Sequence, residues 1–298
     1  MLIKRVKTFS EMIKFEHTVF ALPFAYLGAF LALRKIPAAS QLLWITLAMV
    51  GARTAAMALN RLIDRHIDAK NPRTAERAIP KGLLNVTDVW LYVIASFGLM
   101  LVAAWQLNPL GLRVPLTVKL MPLAVVILSI YSYTKRFTWA CHLVLGVAIG
   151  LAPVGSWVAV TGQVTWGAVV MGLAVATWVA GFDVIYACQD YEFDKAHGIY
   201  SVPARFGLRT ALVFSALLHV ITALTLIGLG IFMGLGYFYW LGVLVAIGIL
   251  VYEHSLVTPS DLSRLDAAFF NMNGILSVLL FIFTFADIIY PTKVNIGL

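Results

Sequence analysis

The sequence contains few charged residues and few cysteines. Charged side chains make up 12% of its 298 residues, whereas an ordinary soluble domain has about 25%. Hydrophobic residues reach 61%, and the mean hydropathy is +0.90. Because one soluble core could not bury so much apolar surface, this composition excludes a soluble globular domain and indicates a chain surrounded by lipid.

The scarcity of cysteine argues against two kinds of site, a disulfide framework and a cysteine metal site. The two cysteines, Cys141 and Cys188, provide neither a disulfide framework nor the spacing of a cysteine metal site. Both lie in or beside apolar segments, where cysteine behaves as a small hydrophobic residue. The first 17 residues are basic and amphipathic, and no convincing cleavage site follows them. We therefore expect no cleavable signal peptide.

Nine apolar segments approach the roughly 20 residues that an α-helix needs to cross a bilayer core. They cover residues 18–34, 41–60, 88–106, 115–134, 138–160, 165–186, 210–232, 237–253 and 267–290. The sequence therefore predicts one all-α integral membrane domain over residues 1–298, with about nine transmembrane helices. The second and sixth segments each lead into an acidic cluster and then a proline-containing stretch. This spacing predicts two pseudo-repeated four-helix halves with a ninth helix added.

The basic residues indicate the orientation of the chain in the membrane. Of 22 lysines and arginines, 16 fall in the N-terminal segment and in the loops after the second, fourth, sixth and eighth segments. Five fall on the opposite side, and Arg53 lies inside the second segment. This asymmetry predicts that the N-terminus and those four loops are cytoplasmic. It also explains the net charge of +8 without a nucleic-acid partner.

An acidic cluster follows the second apolar segment. Asn60, Asp64 and Asp68 recur every four residues, so a continuing helix would place them on one face. Such a motif at a helix end is most often a solvated surface feature. A second cluster at an equivalent position makes that interpretation less attractive.

The second acidic cluster follows the sixth segment. Asp183, Asp190 and Asp194 are separated by seven and four residues, which predicts a shared helical face near Tyr186 and Gln189. Carboxylates that share a face at a membrane boundary repel each other, so we expect a cation between them. Hard oxygen ligands with basic neighbours favour Mg²⁺ bridging to phosphate oxygens. The basic neighbours are Arg65, Arg73, Arg77, Lys135 and Arg136.

At these motifs the chain resembles the UbiA superfamily of intramembrane aromatic prenyltransferases. The superfamily's first motif, NxxxDxxxD, is matched by Asn60, Asp64 and Asp68, and is followed by Arg73-Thr74 and Pro80. The second motif, DxxYAxQDxxxD, is matched by Asp183, Tyr186, Ala187, Gln189, Asp190 and Asp194. Between them, a Tyr-x-x-x-Lys-Arg element is matched by Tyr131, Lys135 and Arg136. The likeness covers essentially the whole chain.

The resemblance implies a helical bundle around a central cavity that holds two Mg²⁺ ions and opens sideways for a lipid tail. Its implied catalytic and metal-binding residues are Asn60, Asp64, Asp68, Asp183, Asp190 and Asp194. The implied substrate-binding residues are Arg53, Arg65, Arg73, Arg77, Tyr131, Lys135, Arg136, Tyr186 and Gln189. One departure is Arg61, which stands where many members have an aspartate, so one possible metal-proximal carboxylate is missing.

The expected activity is Mg²⁺-dependent transfer of a polyprenyl group from its diphosphate to an aromatic acceptor. The resemblance is closest to bacterial 4-hydroxybenzoate polyprenyltransferases, which implies the inner membrane and an active site facing the cytoplasm. A hydroxybenzoate acceptor for ubiquinone and a dihydroxynaphthoate acceptor for menaquinone both remain open. The alternative is a secondary transporter of a small anion. Transport sites, however, tend to lie near the bilayer midplane, whereas these acids lie at one membrane edge.

Overall fold

The computed structural model describes residues 8–13 and 18–292, without the side chains of residues 18–21 and 270. Within these residues the regular structure is helical, apart from one isolated bridge between Thr258 and Asp261. The predicted all-α class is therefore confirmed. The expectation of no signal peptide rests on the N-terminal segment, most of which lies outside the described residues.

Residues 8–12 are helical, and eleven further α-helices follow from Thr18 onward. They are α1 Thr18–Leu33, α2 Ala39–Asp68, α3 Val86–Gln106, α4 Leu116–Thr134, α5 Cys141–Thr161, α6 Trp166–Ala187, α7 Tyr191–His197, α8 Val202–Phe206, α9 Leu208–Met233, α10 Tyr237–Ser255 and α11 Asn273–Ile289. A 3₁₀ turn, Cys188–Asp190, joins α6 to α7, and a π-helix, Ala267–Met272, leads into α11.

Each of the nine apolar segments predicted from the sequence forms a helix. Within the described residues, eight helical stretches are long and apolar enough to cross a membrane. The remaining segment, α1, is shorter, with 16 residues and Pro23 inside it. The chain is a multi-pass membrane protein.

The second and sixth apolar segments continue differently beyond the bilayer. The helix α2 runs without interruption for 30 residues and ends at Asp68, as the spacing of the first acidic cluster predicted. The sequence of the second cluster does not form one continuous α-helix, because a three-residue 3₁₀ turn, Cys188–Asp190, joins α6 to α7. Asp183, Asp190 and Asp194 nevertheless line the same cavity.

Small residues allow the central helices to pack closely. The helices α5 and α6 contact each other along much of their length, as do α2 and α3. A Cβ atom at Gly146 of α5 would overlap the carbonyl oxygen of Ala176 on α6, and one at Gly51 of α2 would overlap Ser96 on α3. Close approach at small residues is a common way for membrane helices to associate. The predicted two-half repeat stays a prediction.

Candidate active site

A polar cavity of about 1030 Å³ lies at one end of the bundle. Its walls come from the N-terminal segment at Thr8 and Glu11, and from the four loops or helix ends that the basic residues predicted to be cytoplasmic. These separate stretches of sequence therefore meet at the same end of the molecule.

The first acidic cluster forms one wall of this cavity. Asn60 and Asp64 lie one helical turn apart on α2, and the Asn60 amide donates to Asp64 Oδ2 at 2.9 Å. The same amide donates to Ser132 Oγ on α4 at 3.2 Å. Asp68 completes the wall, and both carboxylates are buried, at 1% and 4% exposure for Asp64 and Asp68.

Basic side chains reach these buried carboxylates from two loops. Lys135 Nζ lies 2.6 Å from Asp64 Oδ2, and Arg77 Nη1 lies 2.7 Å from Asp68 Oδ1. Arg136 Nη1 is 3.1 Å from Asp64 Oδ1, although its hydrogen bond goes to the carbonyl of Ser132. Burial of a charged pair is tolerated because each carboxylate faces a cation.

Asp190 connects the second cluster to the loop after α2. The Arg73 guanidinium donates to both of its carboxylate oxygens, and the Asn71 amide donates to Oδ1 at 3.0 Å. Burial lowers the pKa of the Arg73 guanidinium, but the hydrogen bonds and the charge of Asp190 outweigh this and raise that pKa above its ordinary value. Arg73 is therefore a permanent cation between the two clusters.

The other two acids of the second cluster have uncharged or imidazole partners. Asp183 Oδ2 lies 2.6 Å from Nδ1 of His142 on α5. Asp194 Oδ2 accepts a hydrogen bond of 2.9 Å from Ser201, and both of these side chains are buried. All three acids of the second cluster line the polar cavity.

The aromatic and amide candidates also line the cavity. Tyr186 stacks on Phe269 of the π-helix, with ring centroids 3.9 Å apart, and its hydroxyl accepts from Arg73 at 3.3 Å. Tyr131 donates to the carbonyl of Ala56 at 3.2 Å, and Gln189 donates to the carbonyl of Tyr186 at 2.8 Å. The predicted tyrosines and glutamine are thus brought together with both acidic clusters.

Two predicted substrate-binding residues are not among the described residues that line the polar cavity, namely Arg65 and Arg136. Arg65 follows Asp64 by one residue, which rotates it about 100° around α2, and its Nη1 donates to the carbonyl of Leu62. Arg136 donates to the backbone carbonyls of Ser132 and Ile63. Both arginines therefore lie outside the lining of this cavity, with Arg136 beside Asp64, and their predicted role in substrate binding stays a prediction.

Arg61, the departure from the first motif noted above, also lines the cavity. Its Nη1 donates to Asn60 Oδ1 at 3.1 Å and its Nε to the carbonyl of Met12 at 3.4 Å. The arginine therefore fixes which way the Asn60 amide faces, so that its nitrogen is turned toward Asp64.

The donor set of the cavity suits a hard divalent cation held together with an anion. Eight carboxylate side chains and five arginines or lysines line it, so negative charge is in excess. Asp64 Oδ1 and Asp68 Oδ2 are buried and lack a hydrogen-bond partner in the described structure. Among the described side chains, no three His, Cys, Asp or Glu residues converge into a preformed metal site. Mg²⁺ is commonly held by one or two carboxylates, with water and phosphate oxygens completing its ligands.

An apolar cavity of about 470 Å³ adjoins the polar one, between α2, α3, α4 and α5. Four residues line both cavities, namely Arg53, Met57, Tyr131 and Leu145. The apolar cavity reaches the outer face of the bundle at Leu123, which is 57% exposed. Arg53 is therefore placed at the junction of a polar and an apolar compartment.

Several residues of the site were missed by sequence reasoning. Asn71, Ser132, His142, Ser201 and Phe269 all line the cavity. Asn71 lies two residues before the Arg73-Thr74 pair of the first motif, but the resemblance gave it no role. A single histidine or serine carries no periodic signal, so the other four could be found only from the packing of distant segments.

Known proteins resemble this chain in both sequence and structure. The sequence profile of the UbiA prenyltransferase family matches residues 21–275. The 4-hydroxybenzoate octaprenyltransferase of Vibrio parahaemolyticus is 29% identical over 247 residues, covering 82% of this chain and 83% of that protein.

Two solved structures share the fold. A UbiA homolog from Aeropyrum pernix superposes with a TM-score of 0.82 at 31% identity, covering 91% of this chain and 98% of that one. A UbiA homolog from Archaeoglobus fulgidus bound to DMAPP and Mg²⁺ has a TM-score of 0.71 at 20% identity, covering 96% and 100%. The chain belongs to the UbiA prenyltransferase family, as its two acidic motifs predicted.

Proposed function

We propose that this chain transfers a polyprenyl group from a polyprenyl diphosphate to an aromatic acceptor in membrane quinone biosynthesis, with Mg²⁺ as cofactor. The observation that carries this function is the polar cavity, which brings both acidic clusters and five arginines or lysines together beside an apolar cavity. The sequence relative from Vibrio parahaemolyticus is a 4-hydroxybenzoate octaprenyltransferase. A similar acceptor, or a dihydroxynaphthoate, is the class we assign.

The diphosphate would lie among the basic residues of the cavity. Arg73, Arg77 and Lys135 already face the carboxylates that it would approach. Asp64, Asp68, Asp190 and Asp194 are the foremost residues for holding Mg²⁺, with Asn60 and Asp183 beside them. Bound Mg²⁺ neutralises charge that develops on a departing diphosphate. We infer two ions, because the two clusters have separate partners and lie on different helices.

The chain's own side chains would guide the organic part of the reaction. The tail would extend into the apolar cavity, while the stacked Tyr186 and Phe269 rings form an aromatic wall near Arg73. An aromatic face favours positive charge such as that of an allylic cation. Enclosure by apolar residues keeps water from that cation, so that the acceptor ring attacks through carbon and then loses a proton.

Arg53 is the residue we assign to the acceptor. It lines both cavities, so a carboxylate at its guanidinium would place an aromatic ring beside the reacting end of the tail. A bidentate contact of this kind orients a planar carboxylate. The site faces the cytoplasm of a bacterial inner membrane in this proposal, which rests on the asymmetry of the basic residues.

Purified protein in detergent tests the proposal. Prenyl diphosphates of several lengths would be incubated with Mg²⁺ and either 4-hydroxybenzoate or dihydroxynaphthoate, and the products identified by mass spectrometry. We expect a carbon-prenylated acceptor and released diphosphate, both abolished by EDTA. Exchange of an anion across liposomes without any prenylated product would favour the transporter alternative.

A further inference from the structure

His142, the second residue of α5, holds Asp183 from outside both acidic motifs. Its ring is buried, with 4% exposure, and Nδ1 lies 2.6 Å from Asp183 Oδ2. Nothing in the spacing of the motifs pointed to this residue, which is 41 positions away from Asp183.

The contact of the second ring nitrogen, Nε2, determines which nitrogen of His142 carries the hydrogen. Nε2 lies 3.3 Å from the backbone nitrogen of Val202, at the start of α8. A backbone N–H can only donate, so Nε2 accepts there and Nδ1 carries the hydrogen that faces Asp183. The ring therefore acts as a rigid spacer between the carboxylate of Asp183 and the backbone at Val202.

The residue before Val202 holds the last acid of the motif, Asp194. Ser201 is 3% exposed, and its hydroxyl donates to Asp194 Oδ2 at 2.9 Å. The same hydroxyl accepts from the backbone nitrogen of Ala204 at 3.2 Å and so caps α8. A continuous chain of contacts thus runs from Asp183 through His142, Val202 and Ser201 to Asp194.

This segment is also tied to the first acidic cluster. The backbone nitrogen of Tyr200 donates to the carbonyl of Lys135 at 2.8 Å, and the ammonium of Lys135 pairs with Asp64. Residues 200–202 therefore touch elements of both clusters, so their position affects the separation of the carboxylates across the cavity.

We propose that His142 is a positioning residue that, through residues 201–202, sets the arrangement of Asp183 and Asp194 and thereby the affinity of the site for Mg²⁺ with a prenyl diphosphate. This inference rests on the proposed function. Partners that orient metal-binding side chains commonly change metal affinity or activity by about 10- to 100-fold when they are removed.

Two substitutions at one position test the inference. His142→Leu removes both contacts, whereas the amide of His142→Gln can donate to Asp183 through nitrogen and accept from Val202 through oxygen. The readout is the Mg²⁺ concentration that gives half of the maximal thermal stabilisation with geranyl S-thiolodiphosphate, an unreactive diphosphate analogue. We expect His142→Leu to raise this concentration by about 10- to 100-fold, with His142→Gln within about threefold of the wild type.

Kinetics separate positioning from a purely structural role. For His142→Leu at limiting Mg²⁺, we expect a raised KM for prenyl diphosphate, with the rate recovering as Mg²⁺ is increased. A purely structural role would lower Tm in the absence of ligand and leave the half-saturating Mg²⁺ concentration unchanged. That result, or equal impairment by leucine and glutamine, would overturn the inference.

Ser201 supplies a second pair of variants in case His142→Leu does not fold. Ser201→Ala loses the hydrogen bond to Asp194, whereas Ser201→Thr keeps a hydroxyl. We expect only the alanine variant to need more Mg²⁺, and an unchanged requirement would overturn the inference. If the wild type itself shows no Mg²⁺-dependent stabilisation with the analogue, the proposed function fails first, and the inference fails with it.

Discussion

At the scale of single residues, three acids of the site are held by arginine or lysine side chains before any ligand arrives. Asp68 faces Arg77, Asp64 faces Lys135, and Asp190 is held by both arms of Arg73. A buried carboxylate without such a partner would be strongly destabilising. When a metal-bound diphosphate enters, we expect the carboxylates to turn to the metal and the cations to the phosphate oxygens.

Arg53 gives the residue-scale prediction. We expect Arg53→Ala to raise the KM for the aromatic acceptor by about ten- to a hundredfold, because a charge-assisted hydrogen bond contributes about 1.5–3 kcal/mol. Arg53→Lys should restore only part of this, because lysine lacks the planar fork that meets a carboxylate. The KM for prenyl diphosphate should change less, since in the proposed arrangement its diphosphate contacts Arg73, Arg77 and Lys135 rather than Arg53.

Steady-state kinetics with each substrate varied in turn provide the measurement, with Tm as the control for folding. Loss of stability with a parallel rise in both KM values would give Arg53 a structural role. An unchanged acceptor KM in a well-folded variant would place the carboxylate contact elsewhere.

The residues of the first acidic cluster, which could be predicted from the sequence, lie within one helix, whereas missed residues such as His142 and Ser201 lie on segments distant along the chain. Asn60, Asp64 and Asp68 repeat within one helix, and helical geometry alone places them together. His142 and Ser201 act through contacts between segments that are distant along the chain, and only tertiary packing brings these together.

At the scale of elements, the two acidic clusters sit on helices that end differently. The unbroken α2 carries its cluster on one face, whereas a 3₁₀ turn interrupts the α-helix between Asp183 and Asp194 of the second cluster. Local periodicity predicted the first arrangement because the helix continues. It gave no sign of the 3₁₀ turn, since a change of helical pitch leaves no mark in the spacing of three aspartates.

The apolar cavity between α2 and α5 gives the element-scale prediction. Ala152 lines this cavity, and Ala152→Phe should shorten the space for the prenyl tail. We expect activity with long prenyl diphosphates to fall about tenfold or more relative to geranyl diphosphate, because a filled apolar pocket rejects extra methylene groups.

A matched control is Val220→Phe on α9, where the side chain is 54% exposed on the outer surface of the bundle. This variant should keep the chain-length preference of the wild type. Equal loss with short and long donors in Ala152→Phe would contradict the assignment of the tail to this cavity.

At the scale of the whole molecule, the polar cavity gathers the N-terminal segment and four loops at one end of the bundle. The basic residues predicted that these segments share a side, because short loops rich in lysine and arginine stay in the cytoplasm. The nine apolar segments could also be predicted from the sequence, since the thickness of the bilayer sets their length. Which loop residues touch each other depends on how the helices pack, and hydropathy carries no information about that.

Cysteine labelling tests the orientation. In a background of Cys141→Ser and Cys188→Ala, single cysteines at the exposed positions Lys70 and Lys195 should react with a membrane-impermeant maleimide only after cells are opened. The reason is the excess of 16 basic residues over five between the two predicted sides. Labelling of either position in intact cells would reverse the topology.

The central claim is that the two acidic clusters together hold the metal that drives prenyl transfer. Its most direct test is the rate of prenylated-acceptor formation at saturating Mg²⁺ for the wild type, Asp64→Ala and Asp190→Ala, each shown to be folded by its Tm. We predict a loss of at least about a hundredfold in each variant, because several kcal/mol of charge stabilisation disappear with the metal. Near-normal turnover in either folded variant would contradict the account for that cluster.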